Sequence, residues 1–189
     1  MKIGIFGGSF DPITNAHLIL AETAREKFKL DSIDFIPTYQ NPFKYKYKAN
    51  DNDRLLMILS AIKDNLHFQC STFDIKNKVV NSIDTINHYK SLYTSDVKLY
   101  FLMGSDSYLL FHKWKDYHKI LNNVTLLVAT RVHVNGIEGI SKDKKIKFFD
   151  LPFNGISSTD VRKRIKKGKS IRYLVPESVE KYINEEGIY

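Results

Sequence analysis

The sequence predicts an α/β protein in which a doubly wound parallel sheet carries helices on both of its faces. Short apolar segments alternate with helix-like segments along the whole chain, which is the pattern of a parallel sheet with crossover helices. Two of these segments, residues 97–103 and 124–129, are almost continuously apolar, as strands buried on both faces are. We expect one domain over residues 1–189, with a small helical extension at its C-terminal end.

The elements of the first half follow from hydrophobic periodicity and from turn residues. One helix, beginning near residue 51, has a predicted apolar face formed by Leu55, Leu56, Ile58, Leu59 and Ile62. The expected elements are a strand over residues 2–6 that ends in two glycines, a helix over 15–28, a strand over 33–37, a loop over 38–50, a helix capped by Asp51 or Asn52, and a strand over 68–75.

The second half continues the same alternation. Its arrangement is Rossmann-like, and in such sheets ligands bind beyond the carboxyl ends of the strands. The expected elements are a helix capped by Asn81 or Ser82, a strand over 97–103, a helical segment carrying Trp114, strands over 124–129 and 146–151, a basic helix opened by Ser157 and Ser158, and a terminal helix from Pro176.

Composition limits the class of protein. The chain has 29 Lys and Arg against 21 Asp and Glu, a formal net charge of +8, which suits either nucleic acid or anionic small molecules. The single cysteine, Cys70, cannot form an internal disulfide, so a reducing, cytoplasmic location is expected. No apolar run approaches the roughly 20 residues that span a bilayer, so no membrane association is predicted. Five scattered histidines lack the spacing of metal ligands: His67, His88, His112, His118 and His133.

The segment after the first strand, residues 7–17 (GGSFDPITNAH), carries the features of a phosphate site. Two glycines allow the main chain to approach a ligand closely, and Thr14 is placed to cap the following helix. His17 lies three residues further on, so it shares a face of the first turn with Thr14. Because a helix N-terminus favours anions, this combination predicts phosphate binding. Considered one at a time, the same residues would be read as a turn, a cap and a surface histidine.

Residues 156–162 (ISSTDVR) repeat this chemistry after the last strand. Three hydroxyl side chains precede Arg162, whose planar fork of donors matches phosphate oxygens. The alternative interpretation is a capping box with an arginine that faces solvent. Two phosphate-suited helix starts in one chain predict that a polyphosphate is held between them.

These two motifs resemble those of the nucleotidylyltransferase superfamily, (H/T)xGH and ISSTxxR. Within it the chain is most similar to the bacterial nicotinate mononucleotide adenylyltransferases. Ala16 stands where the first motif has glycine, and Phe43 where the family has histidine. The segment 80–85 (VNSIDT) stands where the family's pattern is close to PSYTxxT, and only its last residue, Thr85, matches. Supporting similarity comes from Pro37 with residues 41–44, from 103–114 (MGSDSYLLFHKW), from 129–131 (ATR) and from 173–189.

The resemblance implies a reaction in which ATP and nicotinate mononucleotide give nicotinic acid adenine dinucleotide and pyrophosphate. It implies that Mg²⁺ is carried by ATP, with no metal site formed by protein residues. By the resemblance, catalysis falls to His17, Thr14 and Arg162. ATP binding falls to Gly7, Gly8, Ser9, Phe10, His17, Gly104, Asp106, Ile156, Ser157, Ser158, Thr159 and Arg162, and acceptor binding to Lys44, Thr85, Trp114 and Arg131.

Several of these residues also have a structural interpretation that involves no ligand. Asp106 also fits a helix N-cap, Trp114 a core tryptophan, and Lys44 and Arg131 solvated surface cations. The alternative enzymes are phosphopantetheine adenylyltransferase and nicotinamide mononucleotide adenylyltransferase. The alternative from another class is a basic nucleic-acid-binding protein that uses residues 162–169. The partners expected are ATP and nicotinate mononucleotide, not nucleic acid or membrane, and association between copies stays open.

Overall fold

A computed structural model describes residues 1–40, 47–93, 96–130, 143–152 and 155–189 of the chain. Six strands form one sheet, and every neighbouring pair is parallel. The strands are β1 (Lys2–Gly8), β2 (Ser32–Pro37), β3 (Phe68–Cys70), β4 (Lys98–Gly104), β5 (Thr125–Thr130) and β6 (Ile146–Asp150). Their order is β3-β2-β1-β4-β5-β6, so the chain starts in the middle, builds one half and then crosses over to build the other. The predicted doubly wound α/β fold is confirmed.

The helices cover both faces of this sheet, as predicted. Strand residues with alternating numbers belong to two separate hydrophobic clusters, because successive side chains of a strand point to opposite faces. The helices are α1 (Asn15–Phe28), α2 (Asp51–Ile62), α3 (Phe73–Lys76), α4 (Ser82–Leu92), α5 (Ser105–Leu109), α6 (Tyr117–Asn123), α7 (Ser158–Lys166) and α8 (Glu177–Glu186), with a 3-10 turn at Phe111–Lys113.

The two C-terminal helices pack on the same face as the first two. Val161 of α7, and Val179 and Ile183 of α8, are buried in one cluster with Leu20 of α1 and Met57 of α2. The other face is covered by α4, α5 and α6. The C-terminal helical extension is therefore part of the main hydrophobic core, and its packing fixes where α7 begins.

Tertiary pairing moved several boundaries away from the sequence prediction. The first strand continues through Gly7 and Gly8, because both pair with β2, at Ile36 and Pro37. The strand expected over residues 68–75 is only three residues long and is followed by the short helix α3. The cap of α2 is Asn50, whose side chain accepts a hydrogen bond from the amide of residue 53, rather than a residue one or two positions later.

The buried face of α2 is also rotated from the predicted one. Leu56 and Leu59 were expected in the core but are 39% and 44% exposed, whereas Arg54 is completely buried. The apolar pattern misleads here because the helix buries a charged residue that serves a polar network under the sheet edge. Across the described ranges, no helix combines the length and the apolar character that crossing a bilayer would need.

Candidate active site

The carboxyl ends of β1 and β4 lie next to each other where the strand order reverses. Ile3 of β1 pairs with Leu99 of β4, and Ile5 pairs with Phe101, so the segments that follow both strands emerge at one edge of the sheet. Such a switch point is where doubly wound sheets bind their ligands. The residues predicted to bind nucleotide follow these two strands and β6.

The end of β1 and the loop that follows it are fixed by hydrogen bonds to their carbonyl oxygens. The carbonyl oxygen of Gly8 accepts from the amide of Thr38 at 3.0 Å and from its hydroxyl at 3.3 Å. The carbonyl oxygen of Ser9 accepts from Arg54 at 2.8 Å. Both contacts come from the side of β2 and α2. The main chain at Gly8 and Ser9 is therefore fixed by residues outside α1.

Phe10 is the packing element of this loop. It adopts a left-handed backbone conformation with φ 45° and is 1% exposed. Its ring centroid lies 5.2 Å from that of His17 and 5.4 Å from that of Phe6, both in edge-on arrangements. Phe10 was predicted to bind ATP, and the structure places its ring in the core beside His17.

Thr14 and His17 form the start of α1 and determine the tautomer of the imidazole. The Nδ1 atom of His17 accepts a hydrogen bond from the main-chain amide of Thr14 at 3.0 Å, and the hydroxyl of Thr14 lies 2.9 Å from the same atom. Because an amide N–H can only donate, Nδ1 must carry the lone pair, and the proton of the neutral ring is on Nε2. His17 is thereby oriented as a donor through Nε2. Thr14 is fully buried, and its contact with a phosphate stays a prediction.

The start of α7 shows the capping arrangement considered as the alternative for this segment. The Ser157 hydroxyl accepts from the amide of Asp160 at 3.1 Å and donates to its carboxylate at 2.6 Å. This cap orders the first turn of α7. The other half of that alternative, an arginine facing solvent, is wrong, because the side chain of Arg162 is 24% exposed and donates to the main chain of another segment.

The structure brings the starts of α1 and α7 together. The Ser158 hydroxyl donates to the carbonyl oxygen of Pro12 at 2.8 Å, and Nη1 of Arg162 donates to the carbonyl oxygen of Asp11 at 2.6 Å. On the other side of α1, the amide and the side chain of Asn15 donate to the carbonyl oxygens of residues 174 and 173. The N-terminal ends of both helices thus lie next to each other, and a phosphate site between them stays a prediction.

Two charged residues that sequence reasoning missed lie beneath this site. The Asp11 carboxylate, 4% exposed, accepts from the amides of Lys48 and Ala49, each at 3.0 Å. Arg54, on α2, uses its second terminal nitrogen to reach the carbonyl oxygen of Thr38 at 2.9 Å. No local pattern singles out either residue, because both lie among other polar residues, and only the tertiary structure shows what they contact.

Asp51 and Tyr47 complete the surroundings of Arg54. The Asp51 carboxylate lies 2.7 Å from Nη2 of Arg54, and the Tyr47 ring lies over the guanidinium, 4.2 Å from centroid to Cζ. Burying a cation requires partners of this kind. The network joins three segments, the loop after β1, the loop after β2 and the start of α2, immediately below the predicted phosphate site.

Two further predicted ATP ligands lie at the end of β4. Gly104 caps α5, and a Cβ atom placed on it would meet no atom within 4 Å, so the strand end opens into free space. Asp106 is exposed in the first turn of α5, so its alternative role as the N-cap is wrong. Ile156 and Thr159 flank the start of α7, the first half-buried and the second exposed. Nucleotide contacts by these residues stay predictions.

The acceptor residues are only partly described. Thr85 is 3% exposed, and its hydroxyl donates to the buried Asp74 carboxylate at 2.8 Å. Trp114 follows the 3-10 turn rather than lying within a helix, and its half-buried ring packs edge-on against Phe101 and Phe111. Lys44 and Arg131 lie outside the described residues. Binding of the acceptor by all four stays a prediction.

Cys70 and the possible metal ligands among the described residues were the other candidates for site chemistry. Burial and the nearby Asp34 carboxylate raise the pKa of the Cys70 thiol to about 12, which keeps it protonated at neutral pH. Within the ranges that the structure describes, no three His, Cys, Asp or Glu side chains are grouped so as to hold a metal ion.

Comparison with known proteins agrees with this geometry. A doubly wound sheet of this order, with two helix starts brought together at the switch point, is typical of nucleotide-binding proteins. A model of the cytidylyltransferase-like family matches residues 5–164. The chain belongs to this family, and within it to the nicotinate-nucleotide adenylyltransferases, which the following relatives represent.

The similarity to curated relatives extends over the whole chain. A protein of Dictyoglomus thermophilum named "Probable nicotinate-nucleotide adenylyltransferase" is 41% identical, and the alignment covers 100% of both chains. A protein of the same name from Thermoanaerobacter sp. is 39% identical, with 100% of this chain and 94% of the relative covered.

Solved structures show the same fold at lower identity. The Plasmodium falciparum nicotinic acid mononucleotide adenylyltransferase complexed with NaAD superposes with a TM-score of 0.84 at 21% identity, covering 98% of this chain and 96% of that one. The same enzyme complexed with APC gives a TM-score of 0.81 with the same coverage.

Proposed function

We propose that this protein transfers the adenylyl group of ATP to nicotinate mononucleotide, giving nicotinic acid adenine dinucleotide and pyrophosphate. The observation that carries the proposal is the junction of α1 and α7, made by the hydrogen bonds from Ser158 to Pro12 and from Arg162 to Asp11. The junction supports the proposal because it brings two helix N-termini together with His17 and Arg162, and helix N-termini and guanidinium groups are suited to bind phosphate. The full-length relatives carry the same activity in their names.

The reaction needs no nucleophile from the protein. A phosphate oxygen of the acceptor attacks the α-phosphorus of ATP, a new P–O bond forms, and the bond between the α-phosphorus and the bridging oxygen to the β-phosphorus breaks. Pyrophosphate leaves with that oxygen and its electron pair. Because the acceptor phosphate is already ionised at neutral pH, positioning and charge stabilisation supply the catalysis.

His17 is suited to stabilise the charge that develops on the phosphate oxygens. Its Nδ1 is held by the main-chain amide of Thr14, so its Nε2–H is the donor with which the neutral ring meets a phosphate oxygen. Thr14 orients the imidazole, and the Phe10 ring supports it from the core. This arrangement gives the first motif its chemical role.

Arg162 and the hydroxyl groups of α7 are suited to the β- and γ-phosphates. Nη1 of Arg162 is held by the carbonyl oxygen of Asp11 and Nη2 by the hydroxyl of Thr159 at 3.2 Å. A guanidinium has five N–H donors. These two contacts therefore orient the side chain and leave other N–H groups to donate to phosphate oxygens. Mg²⁺ would enter with ATP, bound mainly to the phosphate oxygens, where it would offset their negative charge.

The test is pyrophosphate release with purified protein, ATP and Mg²⁺. Three acceptors are compared at equal concentration: nicotinate mononucleotide, nicotinamide mononucleotide and phosphopantetheine. Preference for the first supports the proposal. Preference for either of the others reassigns the acceptor within the same chemistry, and absence of release with all three contradicts the proposed function.

The nucleic-acid alternative is tested with the same preparation. Binding of a labelled duplex through the basic residues 162–169 would weaken steeply with salt and would not depend on His17. The enzymatic proposal expects His17→Ala to lower pyrophosphate release by orders of magnitude while the protein stays folded. Tight, salt-dependent duplex binding that is unchanged in this variant, together with absence of pyrophosphate release by the wild type, would favour the alternative.

A further inference from the structure

Tyr189, which follows α8, reaches the loop before α1 through a partly buried hydrogen bond. Its hydroxyl donates to Oδ1 of Asp11 at 2.8 Å. Gly187, with φ 62°, ends α8 in the left-handed conformation that glycine adopts readily, and the amide of Ile188 caps the helix on the carbonyl oxygen of Ile183. This turn directs Tyr189 away from α8 and toward the predicted phosphate site.

The Asp11 carboxylate accepts hydrogen bonds from three neutral donors. The amide of Ala49 and the hydroxyl of Tyr189 donate to Oδ1, and the amide of Lys48 donates to Oδ2. The charged Nη1 of Arg162 lies 3.8 Å from Oδ2, which is beyond hydrogen-bond distance. The guanidinium instead donates a hydrogen bond to the main-chain oxygen of Asp11 at 2.6 Å.

Tyr189 remains a neutral donor in these surroundings. Burial and the neighbouring Asp11 charge raise the pKa of Tyr189, while Arg162 and Arg54 act in the opposite direction. All three charged groups are therefore close to this one hydroxyl. Loss of the hydroxyl would leave Oδ1 with one donor fewer, and Arg162 is the charged donor placed to move onto the carboxylate.

We propose that Tyr189 is a positioning residue of the triphosphate site: by hydrogen bonding to Asp11 it keeps Arg162 on the main-chain oxygen of that residue, with its fork available to phosphate. The inference rests on the proposed function, because Arg162 is there assigned to the β- and γ-phosphates. It gives the segment after α8 a role in binding ATP rather than in packing alone.

The experiment compares Tyr189→Phe with Tyr182→Phe. The two substitutions are matched, since the Tyr182 hydroxyl also donates to an aspartate, Asp53, at 3.0 Å, but away from Asp11. ATP binding with Mg²⁺ and without acceptor is measured by calorimetry, and KM is measured for ATP and for the acceptor. For Tyr189→Phe we expect the Kd and KM for ATP to rise three- to tenfold, with KM for the acceptor within twofold of wild type. For Tyr182→Phe we expect both to stay within twofold.

A purely structural role would give a different result. Equal losses of thermal stability in the two variants, with unchanged Kd for ATP in both, would overturn the inference. In a second experiment, Tyr189→Phe is combined with Asp11→Asn, which removes the negative charge that would draw Arg162 away. The double variant is then expected to bind ATP as well as Asp11→Asn alone. An additive loss of ATP affinity would contradict the proposed effect through Asp11. Absence of pyrophosphate release by the wild type would contradict only the proposed function, because the calorimetric comparison needs no turnover.

Discussion

Arg162 donates a hydrogen bond to the carbonyl oxygen of Asp11, which is 151 positions earlier in the chain, at 2.6 Å. This contact joins the first turn of α7 to the loop that precedes α1. Asp11 belongs to the motif before α1 and Arg162 to the motif at the start of α7, so the hydrogen bond connects the two motifs. The contact, together with that of Ser158 to Pro12, brings the two predicted phosphate motifs next to each other.

The role of His17 can be separated from its role as a capping residue. In His17→Asn the side-chain oxygen replaces Nδ1 as acceptor for the Thr14 amide, while the donor at Nε2 is lost. We expect kcat to fall by about 10²–10³, as for loss of one positioned donor, with little change in melting temperature. His17→Ala should lose as much activity and also about 0.5–2 kcal/mol of stability, because the cap is removed. Wild-type turnover in His17→Asn would contradict the role of Nε2.

Gly7 and Gly8 should respond differently to alanine. A Cβ atom on Gly8 would lie 2.8 Å from Cζ of Phe10, whereas one on Gly7 would have its nearest contact at 3.5 Å, with Phe101. Gly8→Ala therefore forces the Phe10 ring toward His17, and we expect a loss of about 1–3 kcal/mol, typical of overpacking. Gly7→Ala should fold with nearly unchanged stability and lose ATP affinity, because the methyl group lies at the predicted nucleotide site. Urea unfolding and calorimetry distinguish the two; equal stability of both variants would contradict the packing argument.

Removal of the buried Arg54 charge should be strongly destabilising. Arg54→Leu leaves two main-chain oxygens, those of Ser9 and Thr38, without their donor. Breaking such a network costs about 3–5 kcal/mol. Arg54→Lys keeps the charge but cannot span the same acceptors, so an intermediate loss is expected. Urea unfolding measures both variants, and a loss below about 1 kcal/mol in Arg54→Leu would contradict the assignment.

The buried carboxyl of Asp74 should make stability depend on pH. Burial, opposed by the hydrogen bond from Thr85, raises the pKa of Asp74 from 3.8 to about 6. The folded state therefore binds this proton more tightly than the unfolded state does. The resulting stabilisation is complete below about pH 3.8 and is lost as pH rises through 6.

Asp74→Asn tests this pH dependence. The amide oxygen still accepts from Thr85 but carries no charge, so the variant should be more stable than wild type at pH 7.5, by on the order of 2 kcal/mol. The difference should shrink toward pH 4. Unfolding followed at pH 4, 5, 6 and 7.5 measures the difference, with Thr85→Val as the control that removes the donor. A constant difference across this range would be inconsistent with titration of Asp74.

Hydrophobic periodicity predicted the sheet and most helices because each element buries one face. It predicted α1 with the observed bounds, since Thr14 caps one end and the apolar residues mark one face of the helix. It failed at α2, where Leu56 and Leu59 looked like core residues but remain exposed. The helix is rotated because Arg54 donates to carbonyl groups of two loops. The sequence around Arg54 gives no sign of these contacts.

The sequence by itself determined the class of fold and the two helix starts that are predicted to bind phosphate, because capping and amphipathicity are local properties of neighbouring residues. Only the tertiary structure decided that Arg54 and Tyr189 contact the segment before α1, at Ser9 and Asp11, and that Nδ1 of His17 accepts the hydrogen bond from Thr14. The contacts of Arg54 and Tyr189 join residues far apart in the chain. They exist only once the sheet has brought its strand ends to one edge and α8 has packed against α2.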